Sequence, residues 1–198
     1  MEWRLLNYGS LLHPDVPRQP IMNSEPGNLD QRWLPNAALF SKMKIVAIDD
    51  EPANVALLEM MLADGGYTRV KTVTDSRRAM DVCVSFEPDL VLLDLMMPHV
   101  DGFAILESLR AAAGEAFLPI IVLTADANET TKLRALRAGA TDFLLKPFDQ
   151  LEVLLRMSNL LETRRLHLQL DMQLAAYADA VRERTSELRE AQRAIAGS

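Results

Sequence analysis

Four short apolar runs in this 198-residue chain end in side chains suited to phosphoryl chemistry. Lys44–Ile48 runs into Asp49-Asp50 and Asp89–Leu93 into Asp94. Pro119–Leu123 runs into Thr124-Ala125 and Thr141–Leu145 into Lys146-Pro147. Taken singly, each terminus is ordinary: an aspartate caps a turn, a threonine fills a strand, a lysine sits on the surface. The order is what carries information: a carboxylate pair, one carboxylate, a hydroxyl and an ammonium, each after a separate apolar run. If the runs before Asp49 and Asp94 are neighbours, three carboxylates converge at one edge, which is costly unless a cation compensates them. Carboxylates, backbone carbonyls and waters are the ligands that Mg²⁺ prefers. A hydroxyl and an ammonium opposite them would hydrogen-bond a transferred phosphoryl group and balance its charge.

The elements that must position these residues follow from the intervening pattern. IVAI, LVLL and IIVL are apolar at every position, as strands of a parallel sheet are when helices cover both faces. Between them lie stretches with helical spacing. Pro52–Leu62 has a proline suited to a first turn, and Asp75–Phe86 has Asp75 or Ser76 as its cap. Gly102–Ala112 and Asn128–Ala138 follow, the latter stopped by Gly139. Thr68–Val73 supplies a further, β-branched strand. Five strand–helix units in about 110 residues predict a doubly wound α/β domain. In such a domain the chemistry sits outside the carboxyl ends of the strands, at the point where the strand order reverses.

The segments IVAIDDEP (45–52), LVLLDLMMPHVDGF (90–103), PIIVLTA (119–125) and GATDFLLKPF (139–148) resemble the receiver domain of two-component response regulators. The resemblance covers about 44–163 and implies a five-stranded, CheY-like sheet of order 2-1-3-4-5. It implies that Asp94 is the phospho-acceptor, that Asp49 and Asp50 hold Mg²⁺ with Asp50 the direct ligand, and that Met96 offers its backbone carbonyl. Thr124 and Lys146 would contact the phosphoryl group. Phe143 would hold the aromatic switch position, without the hydroxyl a tyrosine would bring. Pro147 would follow a cis bond, which few X-Pro bonds adopt. The implied donor is a phosphohistidine on a sensor histidine kinase or a phosphotransfer protein. The implied output is a repacked face built from the helix at 128–138, the strand at 141–145 and the helix after it. A dehalogenase-type phosphohydrolase would need a second aspartate two residues past the nucleophile, where Met96 stands.

Both ends of the chain differ from the middle. Residues 1–43 hold five of the ten prolines and no sustained period, which predicts a disordered arm. Met43, directly before the first strand, is a second candidate start. After Pro147 there is no proline or glycine until Gly197, so Gln150–Ala196 reads as one helix, roughly 70 Å long at 1.5 Å per residue. Steps of three and four pick out Leu160, Thr163, His167, Leu170, Leu174, Tyr177, Val181, Arg184, Leu188, Ala191 and Ile195. That 3.5-residue period predicts that residues 164–198 form a parallel two-stranded coiled coil, and hence a homodimer. The segment from LETRRLHLQL onward also resembles the linker that precedes an HD-GYP-type cyclic-di-GMP phosphodiesterase, a diguanylate cyclase or a kinase domain. Such an output enzyme is the alternative reading of the whole protein. This chain itself holds no residues for that activity, so its own role is that of a phospho-accepting switch.

Charge narrows the partners. Residues 44–150 carry 17 acidic and 10 basic groups, so the whole net charge of −7 lies in the middle. No basic stripe is present, which argues against direct nucleic-acid binding. The apolar runs are far shorter than the roughly 20 residues of a membrane span. One cysteine, Cys83, fits a reducing, cytoplasmic setting.

Overall fold

The computed structural model describes residues 37–196. A helical turn, Ala37–Phe40, precedes β1 (Lys44–Ile48). There follow α1 (Pro52–Asp64), β2 (Arg69–Val73), a 3₁₀ turn (Ser76–Arg78) and α2 (Ala79–Phe86). Then come β3 (Leu90–Asp94), α3 (Gly102–Ala113), β4 (Ile120–Thr124), α4 (Glu129–Arg137), β5 (Asp142–Leu145) and α5 (Gln150–Ala196). The strands form one parallel sheet of order β2-β1-β3-β4-β5, the expected topology. The chain leaves β1 toward β2 and returns to the other side at β3. The crevice between β1 and β3 is therefore the switch point.

Alternation of side chains along each strand explains the uninterrupted apolar runs. Ile45, Ala47, Leu90, Leu92, Ile121 and Leu123 pack under α1 and α5, against Leu58, Leu62, Leu154 and Met157. Their neighbours Val46, Ile48, Val91, Leu93, Ile120 and Val122 pack under α2, α3 and α4. Every residue of β3 and β4 is buried, so their polar ends are held by strands that cannot slip without exposing a core face.

Several boundaries differ from the sequence reading. The helix read as Asp75–Phe86 begins as a 3₁₀ turn, because Asp75 accepts the Arg77 amide and tightens the entry. Cys83 is 5 % exposed and sits in the core. The Pro-rich arm lies largely outside the described residues. Its last part does not match the expectation: Phe40 is 1 % exposed and packs in the core beneath α5, and the Ser41 carbonyl accepts the Thr68 amide and hydroxyl.

The helix α5 spans the expected residues. Its first turns are core: Val153, Leu154, Met157 and Leu161 are all buried, at the spacing of one helix face. Beyond them Leu170, Leu174, Tyr177, Val181 and Leu188 are between 52 % and 71 % exposed. Contact with the domain continues past residue 163. Arg164 donates to the Phe117 carbonyl, and His167, a position in the expected coiled-coil seam, stacks on the Phe117 ring instead. No helix among the described residues is long and apolar enough to cross a membrane.

Candidate functional site

Asp49 and Asp94 lie on adjacent strands at the switch point, 0 % and 4 % exposed. Two buried carboxylates side by side are costly unless paired. Lys146, directly after β5, resolves this: its Nζ lies 2.6 Å from Asp49 Oδ2 and 3.1 Å from Asp94 Oδ2. Burial works against the charged ammonium. The hydrogen bond to Asp49 and the charge of Asp94 outweigh it, so the Lys146 pKa lies above its ordinary value. The Lys146–Pro147 bond is cis, as expected.

The carboxylates differ in how they are held. Asp49 also accepts Nδ2 of Asn54 on both oxygens, at 3.0 and 3.2 Å, and the Glu51 amide at 3.0 Å. Its lone pairs are largely spoken for. Among the described residues no protein donor reaches Asp50, which is half-buried at the rim. One carboxylate oxygen from each of Asp49, Asp50 and Asp94 lies within 4.8 Å of the others. An all-oxygen donor set with an open side fits a hard cation that keeps several waters. The amide of Met96 faces Asp94 Oδ1 at 3.4 Å, and its side chain points to solvent.

Thr124 closes the other wall. It is 3 % exposed at the end of β4, and its Oγ1 accepts the Asp126 amide at 3.1 Å. Thr124 and Phe143 line a common cavity of about 10 Å³, together with Leu95, Val122 and Ala135. That volume cannot take a phenyl ring. Phe143 is half-buried outside it, with Lys132 Nζ 3.9 Å from its ring centroid.

Three residues to which the sequence assigned no role at the site shape it. Asn54 sits in the first turn of α1, and its five-residue spacing from Asp49 was the available signal. Gly102 packs its Cα against the backbone of Asp94 and Leu95. Ser76 Oγ donates to the Pro98 carbonyl at 2.7 Å and accepts the Val100 amide at 3.2 Å, which ties down the loop after Asp94. In that loop His99 is exposed and takes a positive φ of 71°.

Residues 45–158 match the response regulator receiver domain. The DNA-binding dual master transcriptional regulator RpaA of Synechocystis sp. PCC 6803 is 39 % identical over 118 residues, covering 60 % of this chain and 48 % of that protein. The chain thus spans about half the length of such a curated relative. The receiver domain of sensor histidine kinase PA1611 from Pseudomonas aeruginosa PAO1, solved with magnesium in its active-site cleft, is 32 % identical. It aligns with a TM-score of 0.56, over 61 % of this chain and 98 % of that one. A putative two-component response regulator/GGDEF domain protein aligns with a TM-score of 0.61 at 26 % identity, over 66 % of this chain and 53 % of that one.

Proposed function

Since the chain belongs to the response regulator receiver family, we propose that it accepts a phosphoryl group on Asp94 from a phosphohistidine and acts as a switch. The observation that carries this is the placing of Asp94 beside Lys146, at 3.1 Å, within a triad of carboxylates at the switch point. The phosphorus–nitrogen bond of the donor breaks and a bond from phosphorus to an Asp94 oxygen forms. The donor is a sensor histidine kinase or a histidine phosphotransfer protein. Asp49, Asp50 and Asp94, with the Met96 carbonyl, would hold Mg²⁺. When bound, the ion offsets the negative charge shared by the carboxylates and the incoming group.

Lys146 already bridges Asp49 and Asp94, so its charge is in place before the phosphoryl group arrives. That preorganisation lowers the barrier without a reorientation cost. Thr124 donates its hydroxyl to a phosphoryl oxygen and in doing so vacates the cavity wall. Phe143 then swings inward, driven by packing alone. The surface built from α4, β5 and α5 repacks as a result. Water later attacks the acyl phosphate, restoring the carboxylate and releasing inorganic phosphate.

The output runs through α5. The exposed stripe beyond Leu161 supports a parallel dimer in which both receivers sit at one end. The alternative is that this chain is the regulatory part of a longer output enzyme, joined by a linker of the HD-GYP, diguanylate cyclase or kinase type. The similar response regulator/GGDEF domain protein, of which 53 % is covered, supports that reading.

Incubation with a small acyl-phosphate donor and Mg²⁺, followed by peptide mapping, is expected to label Asp94 alone. Undiminished labelling of Asp94→Asn sinks the assignment. Titration of Mg²⁺ against the amide resonances at the strand ends should fail in Asp50→Ala. A wild-type response there would place the ion elsewhere.

A further inference from the structure

At the end of the sheet opposite the site, three strands begin from one cluster. Asp89, directly before β3, accepts the Lys44 amide on Oδ2 at 2.9 Å and gives its own amide to the Lys44 carbonyl at 2.7 Å. The starts of β1 and β3 are thereby tied. Arg164 of α5 reaches across to both neighbours. Its Nη1 donates to the carbonyl of Phe117, just before β4, at 2.7 Å, and its Nε lies 3.6 Å from Asp89 Oδ1. One turn on, the His167 ring stacks on Phe117, with centroids 4.5 Å apart and planes 18° apart, while Nδ1 lies 2.9 Å from the Thr163 carbonyl. Beyond them the apolar stripe of α5, from Leu170 onward, is exposed.

The strands gathered here are the ones whose far ends carry Asp49, Asp94 and Thr124. Each is five residues long and buried apart from the half-buried Lys44, so it behaves as a short stiff strut. The cluster is also incompletely closed. Nε of Arg164 is buried without a hydrogen bond, and 3.6 Å is too long for one. A shift of a few tenths of an ångström at Asp89 would make that bond. One contact is made, one is open, and the open one belongs to the residue at the root of the Asp94 strand.

We propose that Arg164 and His167 form a clamp that sets the direction in which α5 leaves the domain and passes the state of Asp94, along β3 and β4, to the helix beyond residue 167. Both are positioning residues, far from the reacting atoms. The route is separate from the α4–β5–α5 face, because it uses the opposite ends of the strands. The part concerning Asp94 rests on the phospho-acceptor reading. The part concerning the helix exit does not.

The test uses the full chain, before and after treatment with acetyl phosphate and Mg²⁺, with hydrogen–deuterium exchange read over residues 165–181. In the untreated protein Arg164→Ala and His167→Ala should speed exchange in this segment several-fold, with sheet amides unchanged. His167→Phe, which keeps the stacked ring, should restore the wild-type rate. On treatment the wild type should change exchange in the segment, and both alanine variants should lose most of that change while still labelling Asp94. Unchanged exchange in the untreated alanine variants overturns the clamp. So does a wild-type-sized response in them, the absence of any response in a labelled wild type, or a parallel loss of labelling and sheet protection. Failure of the wild type to label at Asp94 would instead overturn the phospho-acceptor reading, and exchange in the untreated proteins would still decide the clamp.

Discussion

Gly102 backs directly onto the carbonyl of Asp94: a Cβ there would collide with that oxygen and come within 2.6 Å of the Leu95 Cα. The obstacle is backbone on both sides, so no side-chain rotation relieves it. Gly102→Ala is expected to push α3 away from the end of β3 and cost about 1–3 kcal/mol, as overpacking of a tight core does. Labelling of Asp94 should slow in parallel, since the same shift moves the acceptor relative to Lys146. Urea denaturation and the initial labelling rate, measured on one preparation, check both effects. A variant of wild-type stability would show that α3 yields freely.

Asn54 holds both oxygens of Asp49 and so orients a carboxylate that Lys146 also binds. Asn54→Ala should leave the fold intact and weaken Mg²⁺ binding several-fold, as loss of an orienting partner does at metal sites. Isothermal titration with Mg²⁺ reads the change. Affinity equal to wild type would mean that Lys146 alone sets the carboxylate.

Arg110 spends its guanidinium on structure. Its Nε donates to the Gly139 carbonyl at 2.5 Å, Nη1 to the Leu118 carbonyl at 2.6 Å and Nη2 to Thr141 Oγ1 at 3.0 Å. It thereby joins α3 to the starts of β4 and β5. Arg110→Ala strands those acceptors and should cost about 2–3 kcal/mol, while labelling at low temperature persists. A melting temperature within one degree of wild type would contradict this accounting.

Burial pushes the Cys83 thiol from 9.0 up to about 11 and the Tyr67 hydroxyl from 10.0 up to about 12. Both stay protonated in the folded chain at a pH where the unfolded chain has ionised. The unfolded state therefore holds fewer protons, and stability falls as pH rises. The contribution is complete below about pH 9 and is lost progressively up to about pH 12. Lys146, also shifted upward, acts in the same direction. The urea midpoint should decline across that window, and Cys83→Ala should delay the onset toward pH 10. A midpoint that stays level through the window would refute the burial argument.

Leu170, Leu174, Tyr177, Val181 and Leu188 lie exposed along α5. Burying each against a second copy would stabilise by roughly 1.5–3 kcal/mol at most. Light scattering at tens of micromolar should give a dimer for the full chain. It should give a monomer for Leu174→Asp/Val181→Asp and for a truncation after His167. A dimer indifferent to both changes would rule out the coiled coil.

The linear chain by itself determined the strands and the residues at their ends. Period-two burial on both faces leaves an unmistakable apolar run, and in a parallel sheet the residue after each run has to emerge at one edge. That reasoning alone puts Asp49, Asp50, Asp94, Thr124 and Lys146 at one edge of the sheet, and the resemblance to the receiver family supplied the strand order that brings them together. Local chemistry likewise marked α5, since nothing between Gln150 and Ala196 interrupts a helix. What tertiary structure decided were contacts between residues far apart in sequence and ordinary in type. Asn54 became the partner that orients Asp49, and Gly102 the glycine against which Asp94 is seated. Phe40 entered the core from a segment with no periodicity to announce it. Arg164 and His167 bind Phe117 and Asp89, although the heptad count assigned His167 to the seam with a second chain. A repeat along one helix reports which residues share a face, and only the packed domain says what that face meets.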